Sequence, residues 1–132
     1  MLIKNYCCEA GRRMGSKYSD GAGFESYNED LVAYRDHQYV LVLDGSSGLD
    51  KDADVDFGEY CSSAQWFVHK FAEAIKENID EMIPTVDLLK GCVREEREQY
   101  CGLFGGNREK MERLIEPSAS LALVRKLVSP HS

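Results

Sequence analysis

No stretch of this sequence approaches the ~20 apolar residues that a bilayer-spanning helix needs. The longest uninterrupted apolar run is Tyr39–Leu43. The first residues lack the apolar centre of a secretory leader, because Met1-Leu2-Ile3 gives way at once to Lys4 and Asn5. Basic residues are in the minority: 16 Lys and Arg stand against 23 Asp and Glu, a net charge of −7. Nucleic-acid binders and polybasic membrane binders need clustered Lys and Arg, so this balance argues against both. No CxxC pair occurs. The five cysteines (Cys7, Cys8, Cys61, Cys92 and Cys101) are odd in number and show no zinc-type spacing with histidine. They read as reduced thiols of a cytoplasmic protein. Histidine is scarce, and His37, His69 and His131 form no recognisable Ser-His-Asp or Cys-His set. Aspartate is missing from the last third: none of the 45 residues after Asp87 is Asp.

What is present is ordinary globular material. The chain is 43% hydrophobic and 30% charged over 132 residues. That excludes a disordered tail, a collagen-like repeat and a coiled-coil rod. The length suits one domain, able to bury roughly two-thirds of its unfolded surface.

Residues 2–9 read as a strand. Residues 10–28, rich in Gly, Ser and Asp, read as a long loop. Residues 30–35 and 38–43 form a candidate hairpin turning at Asp36-His37. Its second arm has no polar position and predicts a strand buried on both faces. Residues 58–79 are the strongest helix: Tyr60, Ala64, Phe67, Val68, Phe71, Ile75 and Ile79 share one face. Glu59, Gln65, Glu73, Lys76 and Glu77 take the other. Pro84 ends that region, and Thr85 caps a second helix with a stripe of Leu88, Leu89, Cys92, Val93 and Tyr100. Ala119–Val128 reads as a final strand. The order predicts an α+β domain with helices on one side of a largely antiparallel sheet.

Two apparent motifs fail on inspection. The acidic run from Asp50 to Asp56 resembles a calcium loop, but Val55 stands where the turn needs Gly and Cys61 where a bidentate Glu belongs. Gly102-Leu-Phe-Gly-Gly-Asn lacks the Lys-Ser/Thr ending of a phosphate loop. The acids Glu29, Asp30 and Asp44 are more telling. Asp44-Gly45 ends an apolar strand, where a carboxylate is fixed by the strand yet open to ligand. A hairpin brings Glu29 and Asp44 to the same end of the sheet. Carboxylates held close repel unless a cation neutralises them, and hard oxygens suit Mg²⁺ or Mn²⁺.

These motifs occur in a definite order. Asn28-Glu29-Asp30 leads a strand; Val42-Leu43-Asp44-Gly45 and a small-residue loop follow; then comes an amphipathic helix. This order resembles the PPM family, the metal-dependent protein serine/threonine phosphatases of type 2C. Pro117-Ser-Ala-Ser-Leu-Ala-Leu-Val124 is similar to the small-residue strand after the family's two helices. The resemblance spans most of residues 24–125. It implies an α-β-β-α sandwich of phosphatase 2C type, of which residues 1–132 form a single partial domain, the first half. It implies two Mg²⁺ or Mn²⁺ ions and a metal-activated water that hydrolyses phosphoserine or phosphothreonine in a phosphoprotein substrate. By the same resemblance Asp44 bridges the metals, Gly45 offers its carbonyl, Glu29 ligates, and Asp30 orients metal-bound water.

The sequence departs from the family at three points. Glu25 stands where the family often carries an arginine for substrate phosphate, with Arg12, Arg13 and Arg35 as substitutes. Ser46 follows Asp-Gly where some members have histidine. The family's later aspartates have no counterpart after Asp87. Glu29, Asp30 and Asp44 carry three negative charges at most, against four positive charges on two divalent ions. The expectation is therefore one weakly bound metal or none in this chain, and no activity from it alone. The alternative is a catalytically silent phosphatase-like module that binds a regulatory partner. Half a sandwich also leaves a sheet edge exposed for self-association.

Overall fold

The computed structural model describes residues 13–46, 57–60, 62–103, 105 and 118–126. Four strands come first: β1 (Arg13–Lys17), β2 (Ala22–Tyr27), β3 (Asp30–Arg35) and β4 (Tyr39–Ser46). Two helices follow, α1 (Ser63–Asn78) and α2 (Thr85–Leu103), and then β5 (Ser118–Arg125). The strands form one antiparallel sheet in the order β1-β2-β3-β4-β5. The α+β class with helices on one side of the sheet agrees with the sequence. The expected strand over 2–9, the acidic run 50–56 and His131 lie outside the described residues.

Short turns set the register. Asn28 adopts φ 54° between β2 and β3, and His37 φ 64° between β3 and β4. Asn and His enter this left-handed region more readily than most side chains. The predicted turn at Asp36-His37 is present. The predicted loop over 10–28 is instead mostly the hairpin β1–β2. Gly21 turns that hairpin at φ 78°, whereas Gly23 serves close approach. A Cβ on Gly23 would lie 2.5 Å from the Ser16 carbonyl oxygen and 2.7 Å from the Tyr34 hydroxyl.

One face of the sheet is packed. Leu31, Ala33, Tyr39, Leu41 and Leu43 meet Val68, Phe71, Ala72 and Ile75 of α1 and Leu88 and Cys92 of α2. Each large side chain buried here is worth about 1.5–3 kcal/mol. A second cluster joins the helices through Trp66 and Tyr100, whose rings lie 5.9 Å apart. Arg125 of β5 ties the α1–α2 connection to the sheet: it donates to the Asp80 carbonyl at 2.6 Å and the Ile83 carbonyl at 2.7 Å. Cys92 and Cys101 are free thiols.

The expectation that β4 is buried on both faces is corrected. Leu41 and Leu43 are 0% and 1% exposed, whereas Val40 and Val42 are 47% and 44% exposed. The helices cover only the first set, so the strand alternates despite its apolar sequence. The open face carries Val32, Val42 and Ala122 in one cross-strand row and Tyr34, Val40 and Val124 in the next. Among the described residues, β1 and β5 are the sheet's edges.

Candidate metal-binding acid pair

The acids sit at one end of the open face. Tyr27, Asp30, Asp44 and Ser120 occupy successive strands in a single row. Asp30 and Asp44 are direct cross-strand partners, which places their Cβ atoms roughly 4.5–5.5 Å apart. Desolvation, a hydrogen bond between the two side chains, and the charges of Asp44 and Glu29 hold the Asp30 carboxyl above its ordinary value.

The turn beneath this pair is clamped from three directions. The Gln65 side chain donates to the Asn28 carbonyl at 2.8 Å. The Gly45 N–H donates to the Glu29 carbonyl at 3.0 Å. The Ser26 hydroxyl donates to the Asp30 carbonyl at 2.9 Å. All three carbonyls of Asn28-Glu29-Asp30 thus accept a hydrogen bond, which fixes the backbone that carries Glu29 and Asp30. Gly45 is required by this closeness: an added Cβ would lie 2.7 Å from the Glu29 carbonyl oxygen and 3.0 Å from Val68.

Glu29 is placed differently from its expected approach to Asp44. Its carboxylate accepts a 2.7 Å hydrogen bond from the Ser62 hydroxyl. Ser62 caps α1, accepting from the Gln65 N–H at 3.1 Å. The first turn of α1 contains no acid, so Glu29 supplies negative charge at that helix N-terminus from outside it. Asp44 faces the opposite side of the sheet. The register therefore brings Asp30, rather than Glu29, to the Asp44 carboxylate.

The other named residues divide by position. Glu25 lies on the open face, across from Val32. Arg35 is at the far end of β3, paired with Asp20 at 2.9 Å. Arg13 is the register partner of Tyr27, in the same row as the acid pair. Arg12 lies outside the described residues. Ser46 ends β4, opposite Ser118.

Ser26, Ser62 and Gln65 were not foreseen as parts of the site, and Gln65, assigned to the polar face of α1, is in fact buried. Ser62-Ser-Ala-Gln65 has the spacing of a capping box, which was the available signal for the helix start. Among the described residues, no group of three or more His, Cys, Asp or Glu converges as a metal cage. Comparison with known proteins finds no matching family model, no matching curated protein and no matching solved structure.

Proposed function

We propose that this chain is a metal-dependent protein serine/threonine phosphatase-like domain of the PPM type, the first half of an α-β-β-α sandwich. The observation that carries this reading is the Asp30–Asp44 pair on an apolar sheet face whose opposite face is already packed by helices. Two adjacent carboxylates form an oxygen donor set suited to Mg²⁺ or Mn²⁺. Asp44 and the Gly45 carbonyl hold the cation, and Asp30 orients a water beside it. Ligation by Glu29 would require its carboxylate to leave Ser62 and reach round the sheet end to the Asp44 side. A divalent cation held there acts as a Lewis acid toward water and phosphate. The open valine face is where the second sheet of the sandwich packs.

Three acids under-neutralise two divalent ions, so the chain by itself holds one ion and does not turn over phosphoserine or phosphothreonine. The test is Mn²⁺-dependent hydrolysis of a phosphothreonine peptide by the complete protein, compared with Asp44→Asn. Loss of turnover in the variant supports the reading, and equal rates overturn it. Glu25 on the same open face favours a second reading, a silent phosphatase-like module that binds a regulatory protein. Absence of Mn²⁺-dependent turnover together with retained partner binding distinguishes it.

A further inference from the structure

On the helix side of the sheet, away from the acid pair, β2, β3 and α1 enclose a cavity of about 210 Å³. That is roughly seven times the ~30 Å³ share of a water molecule in the liquid, enough for a ligand of several non-hydrogen atoms. Phe24, Tyr18 and Tyr60 supply aromatic walls, Glu59 and Glu73 supply carboxylates, and His69 forms part of the lining.

His69 is only 5% exposed. Its ring packs edge-on against Phe24, with centroids 5.3 Å apart, and tilted against Tyr60 at 5.0 Å. Nε2 lies 3.0 Å from the Ser26 hydroxyl. That hydroxyl spends its proton on the Asp30 carbonyl, so Nε2 must be the donor in the contact. Burial keeps the imidazole neutral, below its ordinary pKa, against the opposing pull of Glu59 and Glu73 and with the help of Lys70. A neutral ring with its proton on Nε2 leaves Nδ1 as a bare acceptor. Among the described residues, the hydrogen bond the ring makes is at Nε2.

The cavity therefore offers an imidazole lone pair, two carboxylates and π faces, and it already accommodates one ammonium. The Lys76 Nζ sits 3.9 Å from the Tyr18 ring centroid. Glu73 is shared with Lys70 at 3.4 Å, which leaves Glu59 as the principal charge for a ligand. Aromatic faces and carboxylates attract cations, and a bare nitrogen acceptor selects for one that carries N–H.

We propose that this cavity is a binding site for a small primary alkylammonium ion, which donates to His69 Nδ1, pairs with Glu59 and lies against the aromatic walls. The site is independent of the acid pair. The experiment titrates n-butylammonium into the ¹⁵N-labelled protein and follows the His69 ring nitrogens by NMR. Tetramethylammonium, which has no N–H, and butyrate, which has the opposite charge, serve as comparisons. The expected result is a saturable shift confined to Nδ1, weaker binding of tetramethylammonium and none of butyrate. Glu59→Gln, a change at an exposed position, is expected to weaken n-butylammonium about tenfold, the worth of one hydrogen bond to a charged group. An unmoved Nδ1, tetramethylammonium binding as tightly as n-butylammonium, butyrate binding, or unchanged affinity in Glu59→Gln overturns the proposal.

Discussion

Asp30 and Asp44 are direct register partners across β3 and β4, and burial together with the Asp44 carboxylate raises the cost of ionising Asp30. Asp30 titrates above its ordinary 3.8, so the folded state favours the protonated form. Its contribution to stability is complete below that value and is lost as pH rises through the raised one. Thermal denaturation of metal-free protein should show this loss on the alkaline side of pH 4. Asp30→Asn should remove it, and Mn²⁺ should reverse it by neutralising the ionised pair.

Glu96 should impose a second, larger pH dependence. It lies on α2 only 3% exposed, with neither carboxylate oxygen hydrogen-bonded among the described residues. Burial, reinforced by Glu95 and Glu73 and opposed by Lys70, pushes it up to about 8. Stability should therefore fall as pH rises between 4.5 and about 8, with a slope of up to about 1.4 kcal/mol per pH unit for one proton. Glu96→Gln should flatten the profile measured by urea denaturation at several pH values.

The clamp on the Asn28-Glu29-Asp30 turn should be visible in stability. Gly45→Ala drives a methyl against the Glu29 carbonyl and Val68 and should cost about 1–3 kcal/mol. Glu29→Ala removes both the partner of Ser62 and a charge at the start of α1, and should cost about 1 kcal/mol. Denaturant midpoints measure both. A Glu29→Ala variant as stable as wild type removes the structural role assigned to that carboxylate.

Arg125 should be the side chain that holds β5 to the helices. It makes charge-assisted bonds to the Asp80 and Ile83 carbonyls. Arg125→Ala should cost about 1.5–3 kcal/mol. It should also speed amide exchange in Ser118–Arg125 more than in β2 or β3, read by hydrogen exchange.

Much of the architecture was legible in the residues. The 3.6-residue spacing of Phe67, Phe71 and Ile75 marked α1, and the apolar runs on either side of Asp36-His37 marked the hairpin. What escaped was context. Gly15 and Gly23 read as loop because glycine's usual sign is a turn, whereas Gly23 permits two strands and Tyr34 to close up. Val40 and Val42 read as buried because composition cannot say which face a helix will cover. The acids were found as a group but paired wrongly. Glu29 and Asp30 are adjacent in sequence, and only the register decides which one faces Asp44. Glu96 gave no signal, since a charged residue on a helix ordinarily faces water.

The central claim is that the Asp30–Asp44 pair is a cation site. The most direct measurement is Mn²⁺ titration of this chain, followed by calorimetry and by loss of the free-ion electron paramagnetic resonance signal, alongside Asp44→Asn. The account predicts one weak, saturable site in the wild type, at least tenfold weaker in the variant, the worth of one lost charged ligand. Mn²⁺ affinity identical in the two proteins, or no binding by either, would contradict it.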